Sequence, residues 1–336
     1  MSWKVLVTAR TLNVEAVGGQ ASALLRDAGC ELIQPPKPGP LTAEELQPLL
    51  PGIDAVLASM DRFSAAVLGS AEAAQLKVVS RWGVGYDAID IPAATQRGVV
   101  VAYTPGLLNE AVADYAMALL FALARRVHEG HASMREGKWL PGWGHDISGK
   151  TLGIVGCGRI GQAVARRAAG FNLRLLGCDP APHPEAEKLG LKFVPLDVLL
   201  AESDFISLHA ALTPETRGLL GEAQFRRMKP SAYLVNTARG AILDESALLG
   251  ALQQNRIAGA ALDAFALEPL PADHPLRSAP NVLLTPHQAS FGFETGARVS
   301  LAAAEAIVAL KAGKQPRWVV NPEVFQASTL RAPQTT

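Results

Sequence analysis

From Trp3 onward, short continuous apolar runs alternate with amphipathic stretches. "KVLVTA", "CELIQP", "DAVLAS" and "LKVVSRWG" are separated by "QASALLRDAG", "TAEELQPLL" and a helical stretch to Ala74, and "GVVVAYTPG" adds a further short strand and turn. The apolar positions are continuous rather than alternating, which predicts parallel strands covered on both faces by helices. A long stretch, "NEAVADYAMALLFALARRVHEGHASMREGKW", predicts a helix with Asn109 as its N-cap. It is apolar almost all round, the pattern of a helix buried between domains or between subunits. After "LPGWGHDISGK" the pattern restarts, and "TLGIVG", "LRLLGCD", "LKFVP", "FISLHA", "AYLVNTA", "AGAALDAF" and "NVLLTP" are seven further strand candidates. A chain of 336 residues is too long for one small core, so the expected fold is α/β with two parallel-sheet domains. The closing "STLRAPQTT" predicts a frayed tail.

Charge adds little. Lys plus Arg and Asp plus Glu both number 31, so no net field favours nucleic acid, an anionic membrane or an acidic partner, and a charged substrate must be held locally. No secretory signal pattern or run of about 20 uninterrupted apolar residues occurs, so the expected location is the cytoplasm. Cys30, Cys157 and Cys178 are odd in number and lie in or beside apolar runs, which fits reduced core thiols better than disulfides or zinc ligands. His128 and His131 in "HEGH" lack the spacing that puts two metal ligands on one helix face, so no metal is expected.

The most informative segment is "TLGIVGCGRIGQAVARRAAG", where Gly156, Gly158 and Gly161 satisfy G-x-G-x-x-G between an apolar strand and an Ala-rich helix. Gly156 allows the tight turn and Gly158 lets the backbone approach a pyrophosphate. Gly161 lets helix and strand pack closely, and Arg159 and Ile160 open the helix whose N-terminus favours an anion. Asp179 ends the next strand, where a carboxylate accepts the ribose hydroxyls and repels a 2'-phosphate. Pro180 and Ala181 follow with no Arg nearby, so the expected cofactor is NAD rather than NADP.

Arg239, Glu268 and His287 follow three strands of this same half. In a parallel sheet those ends share one edge, where ligands bind. Singly each has an ordinary explanation: a surface charge, a turn residue before Pro269, a structural histidine. Together, beside a hydride carrier, they make an acid–base site with an anion clamp.

At these residues a resemblance becomes clear. "GIVGCGRIGQAVA", "NTARGAILDESALLGAL", "GAALDAFALEPL" and "LLTPHQAS" resemble the signature blocks of the D-isomer-specific 2-hydroxyacid dehydrogenases, and the likeness runs over nearly the whole chain. It implies a split fold: a flavodoxin-like substrate-binding domain, residues 1–102 and 290–336, into which a Rossmann NAD domain, residues 103–289, is inserted. It places the active site in the cleft between them. By the same resemblance His287 is the general acid/base, Glu268 its hydrogen-bonded partner, and Arg239 the ligand of substrate carboxylate and carbonyl. "GVGYD", residues 83–87, matches the loop whose Val84 and Gly85 amides bind the carboxylate. Asp263 matches the residue at the nicotinamide carboxamide, and His209, Ala210, Thr237 and Ala238 line the cofactor.

The implied activity is NAD-dependent interconversion of a D-2-hydroxyacid and a 2-oxoacid by a homodimer formed through the helix from Asn109. Glyoxylate or hydroxypyruvate reduction is the leading substrate class. Departures from the family pattern are Ala211, Gly292, Gln288 and Trp82, and the last would take up volume near the substrate's tail. Phosphoglycerate oxidation is the alternative, disfavoured because Ala58 stands where a phosphate-binding Arg is expected, although Arg62 or Arg81 could replace it. Phosphite oxidation is disfavoured by Val84, where a lysine is expected. A rival of another class is a non-catalytic NAD-sensing protein like the corepressors that share this fold.

Overall fold

The computed structural model describes residues 2–37 and 39–333. The chain forms two compact units, Met1–Leu108 with Phe291–Thr336, and Asn109–Ser290. Each is built on one parallel sheet.

In the first unit, β1 (Trp3–Val7), β2 (Cys30–Ile33), β3 (Ala55–Ala58), β4 (Val78–Arg81) and β5 (Val100–Ala102) lie in the order β2-β1-β3-β4-β5. This is the flavodoxin-like order. Every pairing is parallel, and β3 is buried along its whole length, as its continuous apolar run requires. Helix Glu15–Asp27 packs against helix Phe293–Lys311, so the last long helix returns to the first unit.

In the second unit, β6 (Thr151–Val155), β7 (Arg174–Cys178), β8 (Leu191–Phe193), β9 (Phe205–Leu208), β10 (Tyr233–Asn236), β11 (Gly259–Leu262) and β12 (Val282–Leu284) lie in the order β12-β11-β10-β9-β6-β7-β8. Read from β8, this is the dinucleotide-binding order with one added strand. Two apolar layers cover the sheet: Leu120, Ile154, Val164 and Val235 belong to one, and Leu176, Ile206, Leu234 and Leu262 to the other.

Helix Asn109–Ala124 packs on helix Arg159–Ala169 and on β10 and β11 of its own unit. Just beyond it lie five exposed large apolar side chains: Val127, Met134, Trp139, Leu140 and Trp143.

The C-terminal segment is docked rather than frayed as far as residue 333; residues 334–336 lie outside the described residues. Val319 bridges Ala102 in antiparallel sense, and Val320 N donates to Val101 O at 2.8 Å, which covers the exposed edge of β5. Asn321, fully buried, accepts Val101 N at 2.8 Å and donates to Val99 O at 3.0 Å and to the Thr95 hydroxyl at 3.1 Å. Arg331 N donates to Gly98 O at 3.1 Å and its Nη1 to Ala73 O at 2.6 Å. Asn321→Ala strands a buried N–H and a buried carbonyl. The expected loss is about 2–3 kcal/mol, read as a lower urea midpoint, with faster amide exchange at Val101.

Candidate active site

The glycine loop after β6 shows why each glycine is needed. Gly156 has φ +89°, and a Cβ there would collide with the backbone of His209 and Ala210 beyond β9. At Gly161 a Cβ would strike the carbonyl of Gly156. Gly158 differs: its φ of −70° suits any residue, and nothing lies within 4 Å of an added Cβ. The protein's own packing does not require glycine there, whereas a pyrophosphate approaching the N-terminus of helix Arg159–Ala169 does. Cys157, between them, is buried and turned inward, and burial pushes its thiol up to about 12, so it is chemically inert.

Asp179 follows β7. Its Oδ2 accepts Cys157 N at 2.7 Å and its Oδ1 accepts Ala181 N at 2.9 Å, so the carboxylate is fixed beside the glycine loop and each oxygen keeps a further lone pair for a ribose hydroxyl. Beyond β9 and β10 lie two sealed polar atoms, His209 Nδ1 and Thr237 Oγ1, with no partner among the described residues. The His209 Nε2 pairs with the Ser207 hydroxyl at 2.8 Å, and burial lowers the ring to about 4, so it is neutral. These residues, with Ala210 and Ala238, complete a cradle that fits NAD: a glycine turn, a helix N-terminus and an acceptor for the ribose.

The other three candidates come from the ends of β10, β11 and β12, adjacent strands of the same sheet. The fully buried Asn236 ties the first turn, its Oδ1 accepting Ala238 N at 3.0 Å and its Nδ2 donating to Arg239 O at 2.9 Å. Arg239 Nη1 donates to Ala238 O at 2.8 Å. Next door, Gly240 packs on the Phe265–Ala266 backbone so closely that no side chain fits. Glu268 Oε1 accepts Phe265 N at 2.8 Å, and its Oε2 lies 2.7 Å from His287 Nδ1. That bond selects the tautomer with the proton on Nδ1 and leaves Nε2 as the other, reactive nitrogen.

His287 sits at φ +49°, a left-handed conformation that costs a non-glycine residue about 1–3 kcal/mol. Asp263 holds it there. Its Oδ1 accepts the Thr285 hydroxyl at 2.6 Å and Gln288 N at 3.0 Å, and its Oδ2 accepts Ala289 N at 2.8 Å. Asp263, expected at the nicotinamide carboxamide, is 1 % exposed and braces the histidine turn. Gln288, a departure from the family pattern, donates from Nε2 to the Tyr115 hydroxyl at 2.7 Å.

In the first unit the loop after β4 carries the remaining candidates. Trp82, expected to take up volume near the substrate's tail, is 5 % exposed, and its Nε1 donates to the Ser300 hydroxyl at 2.9 Å. Phe291 stands edge-on to it at 5.6 Å and is 44 % exposed, with the Arg10 guanidinium 5.3 Å from its ring. The aromatic surface here is therefore that of Phe291, which the sequence reading passed over. Gly83, at φ +130°, is pinned by Thr104: Gly83 N donates to the Thr104 hydroxyl and Thr104 N to Gly83 O, both at 3.0 Å. The Val84 and Gly85 amides have no acceptor among the described residues. Ala58 is fully buried at the end of β3, where it accepts Trp82 N at 2.9 Å.

A dinucleotide cradle and a histidine–carboxylate pair on one sheet edge define a nicotinamide-dependent oxidoreductase. The NAD-binding domain of the D-isomer specific 2-hydroxyacid dehydrogenases matches residues 117–289. A glyoxylate reductase of Korarchaeum cryptofilum is 51% identical over 261 residues, 76% of this chain and 79% of that protein. One from Thermofilum pendens is 40% identical over 317 residues, covering 92% and 93%. The crystal structure of the TT0316 protein from Thermus thermophilus superposes with a TM-score of 0.84 at 42% identity, over 94% of this chain and 99% of that one. The chain belongs to the D-isomer-specific 2-hydroxyacid dehydrogenases, and its cofactor is NAD.

The contrast between two glycines tests the cradle. Gly161→Ala is expected to lower the thermal midpoint by several degrees, because the helix must move off the strand. Gly158→Ala is expected to keep the wild-type midpoint and weaken NADH by about tenfold or more, measured by quenching of protein fluorescence.

Proposed function

We propose that the protein reduces a small 2-oxoacid, glyoxylate or hydroxypyruvate, to the D-2-hydroxyacid with NADH. The observation that carries this reading is the 2.7 Å contact between His287 Nδ1 and Glu268 Oε2, which commits the opposite ring nitrogen to proton transfer. NADH supplies the hydride that reduces the 2-carbonyl carbon. His287 Nε2 gives the proton to the carbonyl oxygen, and in the reverse direction takes it from the hydroxyl. Glu268 accepts the Nδ1 proton and so fixes the ring, whose Nε2 gives a proton when both nitrogens are protonated and takes it back when only Nδ1 carries one. Arg239 binds the carboxylate and polarises the carbonyl, and the Val84 and Gly85 amides are assigned to the same carboxylate. In this reading the first unit is the substrate-binding domain and the second the NAD domain.

The glyoxylate reductases among its relatives support the small-acid substrate, and so does the loss of a phosphate partner at the buried Ala58. We also infer a homodimer in the cytoplasm. A second copy is the natural cover for Val127, Met134, Trp139, Leu140 and Trp143, the last 96 % exposed, since large apolar side chains gathered in one segment are costly to leave in water. Among the described residues no helix is long and apolar enough to cross a membrane, and all three cysteines are free.

His287→Asn is expected to reduce kcat by about 100- to 10,000-fold while NADH binding survives, and Glu268→Gln to give a smaller loss in the same direction. An unchanged kcat in the histidine variant would return His287 to a structural role. A substrate panel with NADH and NADPH checks the rest. Glyoxylate and hydroxypyruvate are expected to give the highest kcat/KM, ahead of phosphohydroxypyruvate, with NADH preferred by at least about tenfold because Asp179 opposes a 2'-phosphate. Absence of turnover with every 2-oxoacid would favour an NAD-sensing role instead.

A further inference from the structure

Arg81, the last residue of β4, is a cation that is only 8 % exposed. Its Nε donates to Gly85 O at 2.9 Å, its Nη1 donates to Trp82 O, and its Nη2 lies 2.6 Å from Met60 Sδ. Gly83 crosses directly over the guanidinium: a Cβ there would lie 3.0 Å from Nη1. One side chain thus binds the carbonyls at both ends of the segment 82–85, while Thr104, 1 % exposed, pins Gly83 from its own strand end. The buried Asp61 accepts Leu41 N at 2.8 Å, Ser59 N at 3.0 Å and the Thr8 hydroxyl. The Val84 and Gly85 amides are left for an outside acceptor.

We infer that Arg81 is a positioning residue for the anion loop and not a ligand of a substrate phosphate: its buried guanidinium fixes the 82–85 backbone so that the Val84 and Gly85 amides are preset for a carboxylate. The inference rests on the functional reading of this loop given above. Arginine suits the task because its planar fork holds several donors in fixed directions, whereas a lysine offers one compact ammonium that cannot reach both carbonyls in the same geometry. The positive charge beneath the loop also favours an anion above it.

The test uses Arg81→Met and Arg81→Lys in the full-length protein, with glyoxylate, phosphohydroxypyruvate and the carboxylate analogue oxamate. Removing two charge-assisted bonds under the loop is expected to raise the KM for glyoxylate and the inhibition constant of oxamate by roughly ten- to a hundredfold. The kcat at saturation is expected to fall by at most about threefold and the NADH Kd to stay unchanged. Arg81→Lys should fall between wild type and Arg81→Met. Glyoxylate and phosphohydroxypyruvate should lose the same factor.

A loss confined to phosphohydroxypyruvate would make Arg81 a phosphate ligand, and an unchanged glyoxylate KM would show that the loop holds itself. Either result overturns the inference. Should Arg81→Met fail to fold, Arg81→Lys is read by the same criteria, with Thr104→Val expected to raise KM in the same sense through the other anchor. A wild-type protein that neither turns over 2-oxoacids nor binds oxamate would overturn the functional reading instead.

Discussion

Both sheets are wholly parallel, and that constraint decides where chemistry can occur. In a parallel sheet every strand runs the same way, so the residues just beyond each strand gather on one edge, and the crossover helices start there with their positive ends. Gly156, Asp179, His209, Arg239 and His287 each lie within a few residues of a strand's carboxyl end in one sheet. The turn at residues 82–85, just after β4, occupies the corresponding place in the other. No single strand could assemble such a site, and burial of both sheet faces under helices leaves this edge as the place where backbone amides and charged side chains can meet solvent or a ligand.

The turns on that edge are held by buried polar groups whose oxygens and nitrogens are matched one by one. Asn236 closes the Arg239 turn with both ends of its amide, Asp263 accepts three donors around His287, and Thr104 both donates to and accepts from the Gly83 backbone. Burying such groups without partners would cost several kcal/mol. With partners they fix a backbone that would otherwise relax, including the left-handed His287. Precision at the histidine therefore comes from its neighbours' hydrogen bonds more than from its own.

Much of this could be read from the sequence because it is periodic or local. All twelve strands among the described residues correspond to apolar runs, and the glycine spacing with Asp179 pointed to NAD. The Arg239, Glu268 and His287 positions followed from strand ends. What could not be read depends on long-range contacts. The edge-on contact of Trp82 with Phe291 joins residues more than 200 positions apart, and nothing in "WGVG" tells whether the indole faces solvent. The C-terminal "STLRAP" has the polar, small-residue composition of a tail, yet Arg331 secures it to the Gly98 turn and to Ala73 O. For the helix from Asn109, single-sequence periodicity cannot distinguish an intrachain neighbour from a second subunit.

Net charge adds a last constraint. With 31 basic and 31 acidic side chains, the molecule has no overall field to draw in a small anion, so affinity for a carboxylate must arise within a few ångströms of where it binds. Surface ion pairs contribute little to such a field: Glu110 with Arg166 and Arg167, or Glu222 with Arg226, are solvent-exposed and largely self-cancelling. A guanidinium withdrawn from water is different, because its charge is poorly screened and acts on the backbone dipoles it touches. Burying a cation at the end of β4 costs desolvation energy that an apolar side chain would avoid, and the Trp82 and Gly85 carbonyls offset it. The fold accepts that cost at the turn after β4, where the guanidinium holds the backbone of residues 82–85.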